Sequence, residues 1–201
     1  MIIYIMRHGE TVWNKSRLLQ GSKDISLSTE GIELARKRSE QFKDVKFDVI
    51  YSSPLERAYM TACIMKGERD IPIIKDDRIR EINFGVNEGQ SSIELQKDKS
   101  NPFCKFFDDP GNYVAPDKGE NLIQVCNRTK DFLQEVIEPL AKKEPEKTVL
   151  IAGHGAMNKG LMCHMFNRNM ENYWEGGLQK NCGIYIVELD NNNEYHLIDE
   201  V

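Results

Sequence analysis

The chain has 201 residues and a formal net charge of −5, with 29% charged and 40% hydrophobic residues. This composition is typical of a globular domain, and the acidic balance argues against a nucleic-acid partner. The five cysteines include no C-x-x-C pair, which favours reduced thiols, and no apolar run is long enough to cross a membrane. With no signal-peptide pattern before the first strand, we expect one domain over residues 1–201, in the cytoplasm, without a nucleic-acid or membrane partner.

The first predicted element is a buried strand, Ile2–Met6, which runs directly into Arg7, His8 and Gly9. A strand has no structural need for a cation and an imidazole at its end, so these residues are candidates for a site. A polar loop follows, and Ser28 then has the position of an N-cap for an amphipathic helix.

A second strand is predicted over Phe47–Tyr51 and is followed by the stretch SSPLERA. Ser53, Pro54 and Glu56 have the spacing of an N-cap, a first-turn proline and a capping-box glutamate, so we expect a helix to begin there. Arg57 would then lie in the first helical turn, where free backbone N–H groups favour an anion.

A third strand is predicted around Ile71–Ile74, and the pattern weakens after it. Prolines and glycines interrupt the periodicity, so we expect a lid-like insertion with short helices at about 86–120. Its aromatic residues are more typical of a core than of ligand contacts; they are Phe103, Phe106, Phe107 and Tyr113.

The last part of the chain begins with a long predicted helix, Asn121–Lys142, in which Pro139 should end or kink the helix. The stretch KTVLIAGHG reads as a buried strand that leads into His154 between two glycines. A helix is expected next, and Asn191–Asn193 then predict a hairpin between the last two strands.

Strands alternating with helices predict a three-layer α/β/α fold with a mostly parallel central sheet and an antiparallel edge strand from the hairpin. Ligands of such sheets bind beyond the carboxyl ends of the strands. We therefore expect the polar residues that follow three of these strands to converge: Arg7, His8, Arg57 and His154. Two guanidiniums and two imidazoles suit the oxygens of a phosphomonoester.

Four motifs occur along the chain: R-H-G-E-T at 7–11, S-S-P-L-x-R-A at 52–58, E-x-x-F-G at 81–85 and G-H-G at 153–155. Together, and in this order, they resemble the histidine phosphatase superfamily, whose members share the phosphoglycerate mutase-like fold. The resemblance implies that His8 is the nucleophile that forms a phosphohistidine, and that Glu81 protonates the leaving oxygen and later activates water. It implies that Arg7, Arg57 and His154 hold the phosphoryl oxygens. It also implies further substrate contacts from Asn14, Gln20, Gly21, Gly155 and Ala156.

The chemistry of these residues agrees with the resemblance. Neighbouring arginines should keep His8 neutral, a bound dianion should raise the pKa of Glu81, and a protonated His154 should help to offset the phosphate charge. No metal ion or other cofactor is then required. A zinc site built from His8, His154 and Glu81 is the rival interpretation, and the adjacent guanidinium charges disfavour it. Glu88 remains an alternative proton donor to Glu81.

These features predict a hydrolase of the histidine acid phosphatase type that acts on a small phosphorylated metabolite. A cofactor-dependent phosphoglycerate mutase is the alternative, followed by a non-catalytic phosphate-binding module. The resemblance implies an E-R-x-x-G motif and an arginine pair in glycolytic mutases, whereas residues 86–120 contain no arginine here. Their lysines could still bind a carboxylate; they are Lys97, Lys99, Lys105 and Lys118. The substrate and the oligomeric state stay open, and a homodimer is possible.

Overall fold

A computed structural model describes residues 1–201 and contains one six-stranded sheet with the strand order β3-β2-β4-β1-β5-β6. The strands are β1 (Ile2–Arg7), β2 (Val49–Ser52), β3 (Ile73–Lys75), β4 (Thr148–Gly153), β5 (Ile184–Leu189) and β6 (Tyr195–Glu200). The first four are mutually parallel, while β5 pairs antiparallel with β1 and β6 antiparallel with β5. The predicted mostly parallel sheet and terminal hairpin are therefore confirmed.

Helices cover both faces of the sheet. They are α1 (Val12–Lys15), α2 (Thr29–Gln41), α3 (Glu56–Lys66), α4 (Ser92–Lys97), α5 (Lys105–Asp108), α6 (Leu122–Phe132), α7 (Glu138–Lys143) and α8 (Gly155–Met165). Apolar residues of α2 and α3 pack with Met6 and Ile50 on one face, whereas α6, α7 and α8 pack with Ile3 and Ile5 on the other. Alternate residues of β1 thus enter opposite layers, as the period of a strand requires. None of the helices combines the length and apolar character needed to cross a lipid bilayer.

One predicted helix start is wrong, and the predicted long helix is confirmed. The helix after β2 begins at Glu56 with Leu55 at its N-cap. Ser53 accepts from the Leu55 N–H and contacts His154, but it forms no capping box, because the Glu56 N–H donates to Asp24. The helix from Asn121 continues to Lys143, and Pro139 distorts it without ending it. A π-helical turn over Leu133–Ile137 joins α6 to α7 immediately before this proline, which lacks an N–H and crowds the preceding turn.

A second core lies beside the sheet and contains much of the segment 86–120. Phe103 and Phe106 are buried there and stack with ring centroids 5.0 Å apart. They pack together with Phe84 and with Leu122 and Val125 of α6. The short helices α4 and α5 are thus supported by aromatic packing and not by the sheet. The packing of this segment is therefore independent of the strands.

Candidate active site

The ends of three neighbouring strands bring the predicted residues together. Arg7 of β1 is in register with Gly153 of β4, and Ser52 of β2 is in register with Ala152. The backbone N–H of His8 donates to the Gly153 carbonyl at 3.0 Å, so the pairing continues beyond β1. The residues that follow each strand therefore share one edge of the sheet, as the parallel arrangement predicts.

A cavity of about 330 Å³ opens at this edge. It is lined by nine of the ten predicted site residues: Arg7, His8, Asn14, Gln20, Gly21, Arg57, Glu81, Gly155 and Ala156. The tenth, His154, lies behind His8, with ring centroids 5.2 Å apart. We call Arg7, His8, Arg57 and His154 the phosphate cup.

His8 is buried, and its ring orientation is fixed by a 2.6 Å contact between Nδ1 and the Gly9 carbonyl oxygen. A carbonyl oxygen can only accept, so Nδ1 carries the proton and the lone pair lies on Nε2. Burial lowers the pKa of His8 well below its usual value, and Arg57 and Arg7 lower it further. The ring is therefore neutral near pH 7, with Nε2 available as a nucleophile.

The two arginines are held by backbone carbonyls. Arg57 donates from its two terminal nitrogens to the carbonyls of Lys23 and Gly21, both at 2.8 Å, and Arg7 donates to the Gln179 carbonyl at 2.5 Å. Burial lowers the pKa of Arg57 to about 10, so the group remains charged near neutral pH. Both guanidiniums are thus fixed, positively charged walls of the cavity.

His154 is fully buried, and its Nε2 lies 2.7 Å from the hydroxyl oxygen of Ser53. Burial lowers the pKa of His154 well below its usual value, followed by the charge of Arg57. Burial and the two guanidiniums thus oppose a further charge on His154 in the unliganded protein. A protonated His154 beside a bound phosphate stays a prediction.

Three polar atoms of the phosphate cup have no hydrogen-bond partner in the protein. They are Nε of Arg7, Nε of Arg57 and Nδ1 of His154, and they make up three of the five such buried side-chain atoms in the chain. Buried polar groups are normally paired. Their concentration around His8 indicates that this cup is built for an oxyanion.

Glu81 lines the same cavity and accepts hydrogen bonds from the start of α8. One carboxylate oxygen accepts from the N–H groups of Met157 at 2.9 Å and Ile82 at 3.0 Å, and the other accepts from Ala156 at 3.3 Å. The helix dipole favours a carboxylate there. Because the Ala156 N–H is already used by Glu81, it is not free for a substrate, which revises the contact that the resemblance implied.

Glu88 does not line the cavity. Its carboxylate accepts from the N–H groups of Ser22 at 2.6 Å, Lys23 at 3.1 Å and Phe84 at 3.2 Å. These bonds hold the loop whose carbonyls bind Arg57. Of the two candidate proton donors, only Glu81 therefore faces the cavity.

Asn14 and Gln20 each keep an amide donor for a ligand. The side-chain oxygen of Asn14 accepts from the Thr11 N–H at 3.0 Å, and that of Gln20 accepts from the Thr11 hydroxyl at 3.0 Å. Neither side-chain NH₂ group has a partner in the protein. Both amides thus suit phosphate oxygens, as the resemblance implied.

Sequence reasoning missed Gln179, which is buried and positions Arg7. Its amide nitrogen donates to the carbonyls of Ile5 at 3.0 Å and Gly183 at 2.9 Å, and its backbone carbonyl accepts from Arg7. Gln179 lies 172 residues from Arg7 in the chain, and no local motif marks it. Only the folded structure brings the two residues together.

The outer part of the cavity, which we call the rim, differs in character. It consists of Arg17, Leu18, Phe106, Phe107, Trp174 and Leu178. Arg17 is its only cation, and its guanidinium has no partner in the protein. Its backbone has a φ of +53° and is held by Ser92, whose N–H and hydroxyl both donate to the Arg17 carbonyl at 2.9 Å. None of the four lysines of the segment 86–120 lines the cavity.

Comparison with known proteins agrees with this geometry. The family model for the histidine phosphatase superfamily (branch 1) matches residues 3–197. Phosphoserine phosphatase 1 of Hydrogenobacter thermophilus is 31% identical over 94% of this chain and 86% of its own length. Phosphoglycerate mutase 1 of Saccharomyces cerevisiae is 31% identical over 81% of this chain and 77% of its own.

A solved structure is also similar over nearly the whole chain. It is a phosphoserine phosphatase from Entamoeba histolytica in complex with 3-phosphoglyceric acid, with a TM-score of 0.83 and 28% identity. The alignment covers 99% of this chain and 95% of the other. The chain therefore belongs to branch 1 of the histidine phosphatase superfamily and is a phosphatase, that is, a hydrolase.

Proposed function

We propose that His8 is the nucleophile of this phosphatase and that Glu81 is its acid and base. Nε2 of His8 attacks phosphorus, the bond between phosphorus and the ester oxygen breaks, and Glu81 gives its proton to the leaving alkoxide. Water then attacks the phosphohistidine, Glu81 takes a proton from that water, and the N–P bond breaks to release inorganic phosphate. The three unpaired polar atoms around His8 are the observation that carries this proposal.

The phosphate cup supplies the charge that the reaction needs. We propose that Arg7, Arg57 and His154 hold the three non-bridging oxygens, with Asn14, Gln20, Gly21 and the Gly155 N–H beside them. Phosphoryl transfer depends mainly on positioning and on stabilisation of charge. Two guanidiniums fixed by backbone carbonyls provide both, so we expect turnover without a metal ion or other cofactor.

The rim favours a leaving group that carries a carboxylate. The free guanidinium of Arg17 is the only cationic side chain of the cavity beyond the phosphate cup, and the other side chains of the rim are apolar. The names of two similar proteins, both phosphoserine phosphatases, point to the same class. We therefore propose small phosphorylated hydroxy acids or amino acids as substrates.

We further propose the acid-phosphatase subtype, because a carboxyl group is the proton donor and the lowered pKa of His8 keeps the nucleophile neutral in mild acid. The segment 86–120 would act as the lid of one domain.

Five free cysteines support a cytoplasmic location. The net charge of −5 argues against nucleic acid as a partner, and a homodimer is an open possibility.

Hydrolysis of p-nitrophenyl phosphate by His8→Ala tests the proposal, with His164→Ala as the control because His164 lies outside the cavity and contacts Glu138. We expect turnover to fall by at least a thousandfold only in His8→Ala, and acid-labile phosphate to form on the wild-type protein but not on His8→Ala. EDTA should not reduce the rate. Phosphate binding without turnover would instead support a binding module, and zinc-restored activity would overturn the metal-free mechanism.

A phosphoglycerate mutase is the second candidate, because one similar protein carries that name. Such an enzyme returns the phosphoryl group to a bound acid. Incubation with 3-phosphoglycerate, with and without 2,3-bisphosphoglycerate, separates the two activities. We expect release of inorganic phosphate in both cases, whereas formation of 2-phosphoglycerate only with the bisphosphate would favour the mutase.

A further inference from the structure

The hydroxyl group of Ser53 is the feature that the proposed mechanism leaves unexplained. Ser53 is fully buried, and its oxygen lies 2.7 Å from Nε2 of His154 and accepts a 3.3 Å hydrogen bond from the Leu55 N–H. We propose that Ser53 fixes His154 as the neutral tautomer with its proton on Nδ1, so that His154 is an uncharged hydrogen-bond donor to the phosphoryl group. This inference rests on the proposed function of His154 as a phosphoryl ligand.

The donors and acceptors at the contact between Ser53 and His154 distinguish the two neutral tautomers of His154. Ser53 has one hydroxyl hydrogen, and the only acceptor within reach of that hydroxyl is Nε2 of His154. If Nε2 is bare, it accepts this hydrogen while the oxygen of Ser53 accepts from Leu55. Every polar group of the contact is then paired, and the ring proton lies on Nδ1.

The opposite tautomer leaves two groups unsatisfied. With a proton on Nε2, the oxygen of Ser53 would accept from both His154 and Leu55, and its own hydrogen would have no acceptor in a fully buried position. Nδ1 would also be a bare acceptor, which would repel a phosphoryl oxygen. An unpaired buried polar group costs about 1–3 kcal/mol, so this tautomer is disfavoured on both counts.

The surroundings also disfavour the doubly protonated ring. His154 is fully buried beside the fixed guanidinium of Arg57, and no carboxylate contacts its ring. A third positive charge would have to be desolvated there without a partner. Nδ1–H is then the one donor of the ring that has no partner in the protein.

The consequence is a division of labour within the phosphate cup. Arg7 and Arg57 carry the positive charge. His154 donates one hydrogen bond of fixed direction from Nδ1–H, and Ser53 is a positioning residue that acts through His154. His8 has the same neutral tautomer, because its Nδ1 donates to the Gly9 carbonyl and its Nε2 is bare. One imidazole presents a lone pair to phosphorus and the other presents an N–H to an oxygen.

Nitrogen NMR of the histidine ring in the wild-type protein tests the tautomer directly and does not depend on activity. The two ring nitrogens of His154 should show the pattern of a neutral Nδ1–H imidazole between pH 6.5 and 8. A proton on Nε2, or on both nitrogens, would overturn the proposal. A protein with this tautomer but without phosphatase activity would instead contradict the proposed function alone.

Substitution of Ser53 tests whether the hydroxyl is the cause. Ser53→Ala should lower kcat/KM by about ten- to a hundredfold and shift the His154 ring towards the other tautomer. Ser53→Thr keeps the hydroxyl and should restore the tautomer. Ser52→Ala is the matched control, because Ser52 is equally buried and donates to the Ser53 carbonyl at 2.8 Å without contacting the ring. A similar loss in Ser52→Ala, or an unchanged tautomer in Ser53→Ala, would overturn the role of Ser53.

Discussion

The phosphate cup and the rim share one cavity, yet they are supported in different ways. Three side chains of the cup contact backbone carbonyls in loops, those of Gly9, Gly21, Lys23 and Gln179, and His154 contacts the Ser53 hydroxyl. The aromatic residues of the rim belong to short helices and turns that pack against a second core. A single hydrogen bond, from the Trp174 indole to the Phe106 carbonyl at 2.6 Å, joins two parts of the rim.

This difference separates chemistry from selectivity. Backbone carbonyls orient Arg7, His8 and Arg57, and the Ser53 hydroxyl orients His154, so the cup depends on groups close to the strand ends. The rim can change by substitution in the segment 86–120 without disturbing the strands. We therefore expect substitutions in the cup to lower kcat/KM for all substrates alike. Substitutions in the rim should change which substrate has the higher kcat/KM.

Arg57→Ala should have the largest effect. It removes a buried charge from the cup and two donors from the loop that contains Gly21 and Lys23. We expect kcat/KM to fall by about a thousandfold for p-nitrophenyl phosphate and for phosphoserine alike. Arg36→Ala, at an exposed position, is the control. A loss confined to one substrate would contradict the claim that the cup acts on all substrates alike.

Glu81→Gln should reduce turnover by about a hundredfold for alkyl phosphates, which need a proton on the leaving oxygen. For p-nitrophenyl phosphate, the first step, measured as a burst of p-nitrophenolate, should slow only a few-fold because p-nitrophenolate leaves without protonation, whereas hydrolysis of the phosphohistidine should slow for every substrate. A glutamine oxygen can still accept from Met157, so the start of α8 should persist. Glu88→Gln is the matched control, and equal losses in the two variants would argue against Glu81 as the acid.

The free energy of unfolding of the protein should depend on pH because of the two histidines in the cup. Both histidines of the cup have a lowered pKa in the folded protein, whereas a histidine in the unfolded chain titrates near pH 6.5. Below that pH the unfolded chain binds more protons, so the free energy of unfolding should fall as the pH falls. The slope approaches about 1.4 kcal/mol per pH unit for each histidine.

Denaturant titrations at pH 7.5, 6.5 and 5.5 measure this slope. His8→Asn should remove about half of it, while substitution of the exposed His196 by Gln should leave it unchanged. A flat dependence in the wild-type protein would show that the cup does not exclude protons from its imidazoles.

Arg17→Gln should have the smallest effect and the sharpest selectivity. Arg17 is exposed, and an exposed ion pair supports a loss of about three- to fivefold in kcat/KM for phosphoserine or 3-phosphoglycerate. Hydrolysis of p-nitrophenyl phosphate should change by less than about twofold. Lys15→Gln is the control, because Lys15 binds Glu30 outside the cavity. Equal losses on both substrates would place Arg17 among the residues that support the fold.

Much of the site could be predicted because its residues directly follow strands. A short apolar run that ends in Arg7 and His8, and another that ends before His154, mark the strand ends in the sequence itself. Parallel pairing then makes those ends meet. The role of Ser53 was predicted only in part, because its spacing suits a helix cap and the sequence does not show that the same hydroxyl also contacts His154.

The sequence by itself determined the alternation of strands and helices, the four residues of the phosphate cup and the order of the motifs. Local patterns suffice for these features, since each depends on neighbours in the chain. The tertiary structure alone decided that Gln179 holds Arg7, that Glu81 and not Glu88 faces the cavity, and that the Ser53 hydroxyl contacts His154. These properties depend on burial and on hydrogen bonds between residues far apart in the chain, which a linear pattern does not contain.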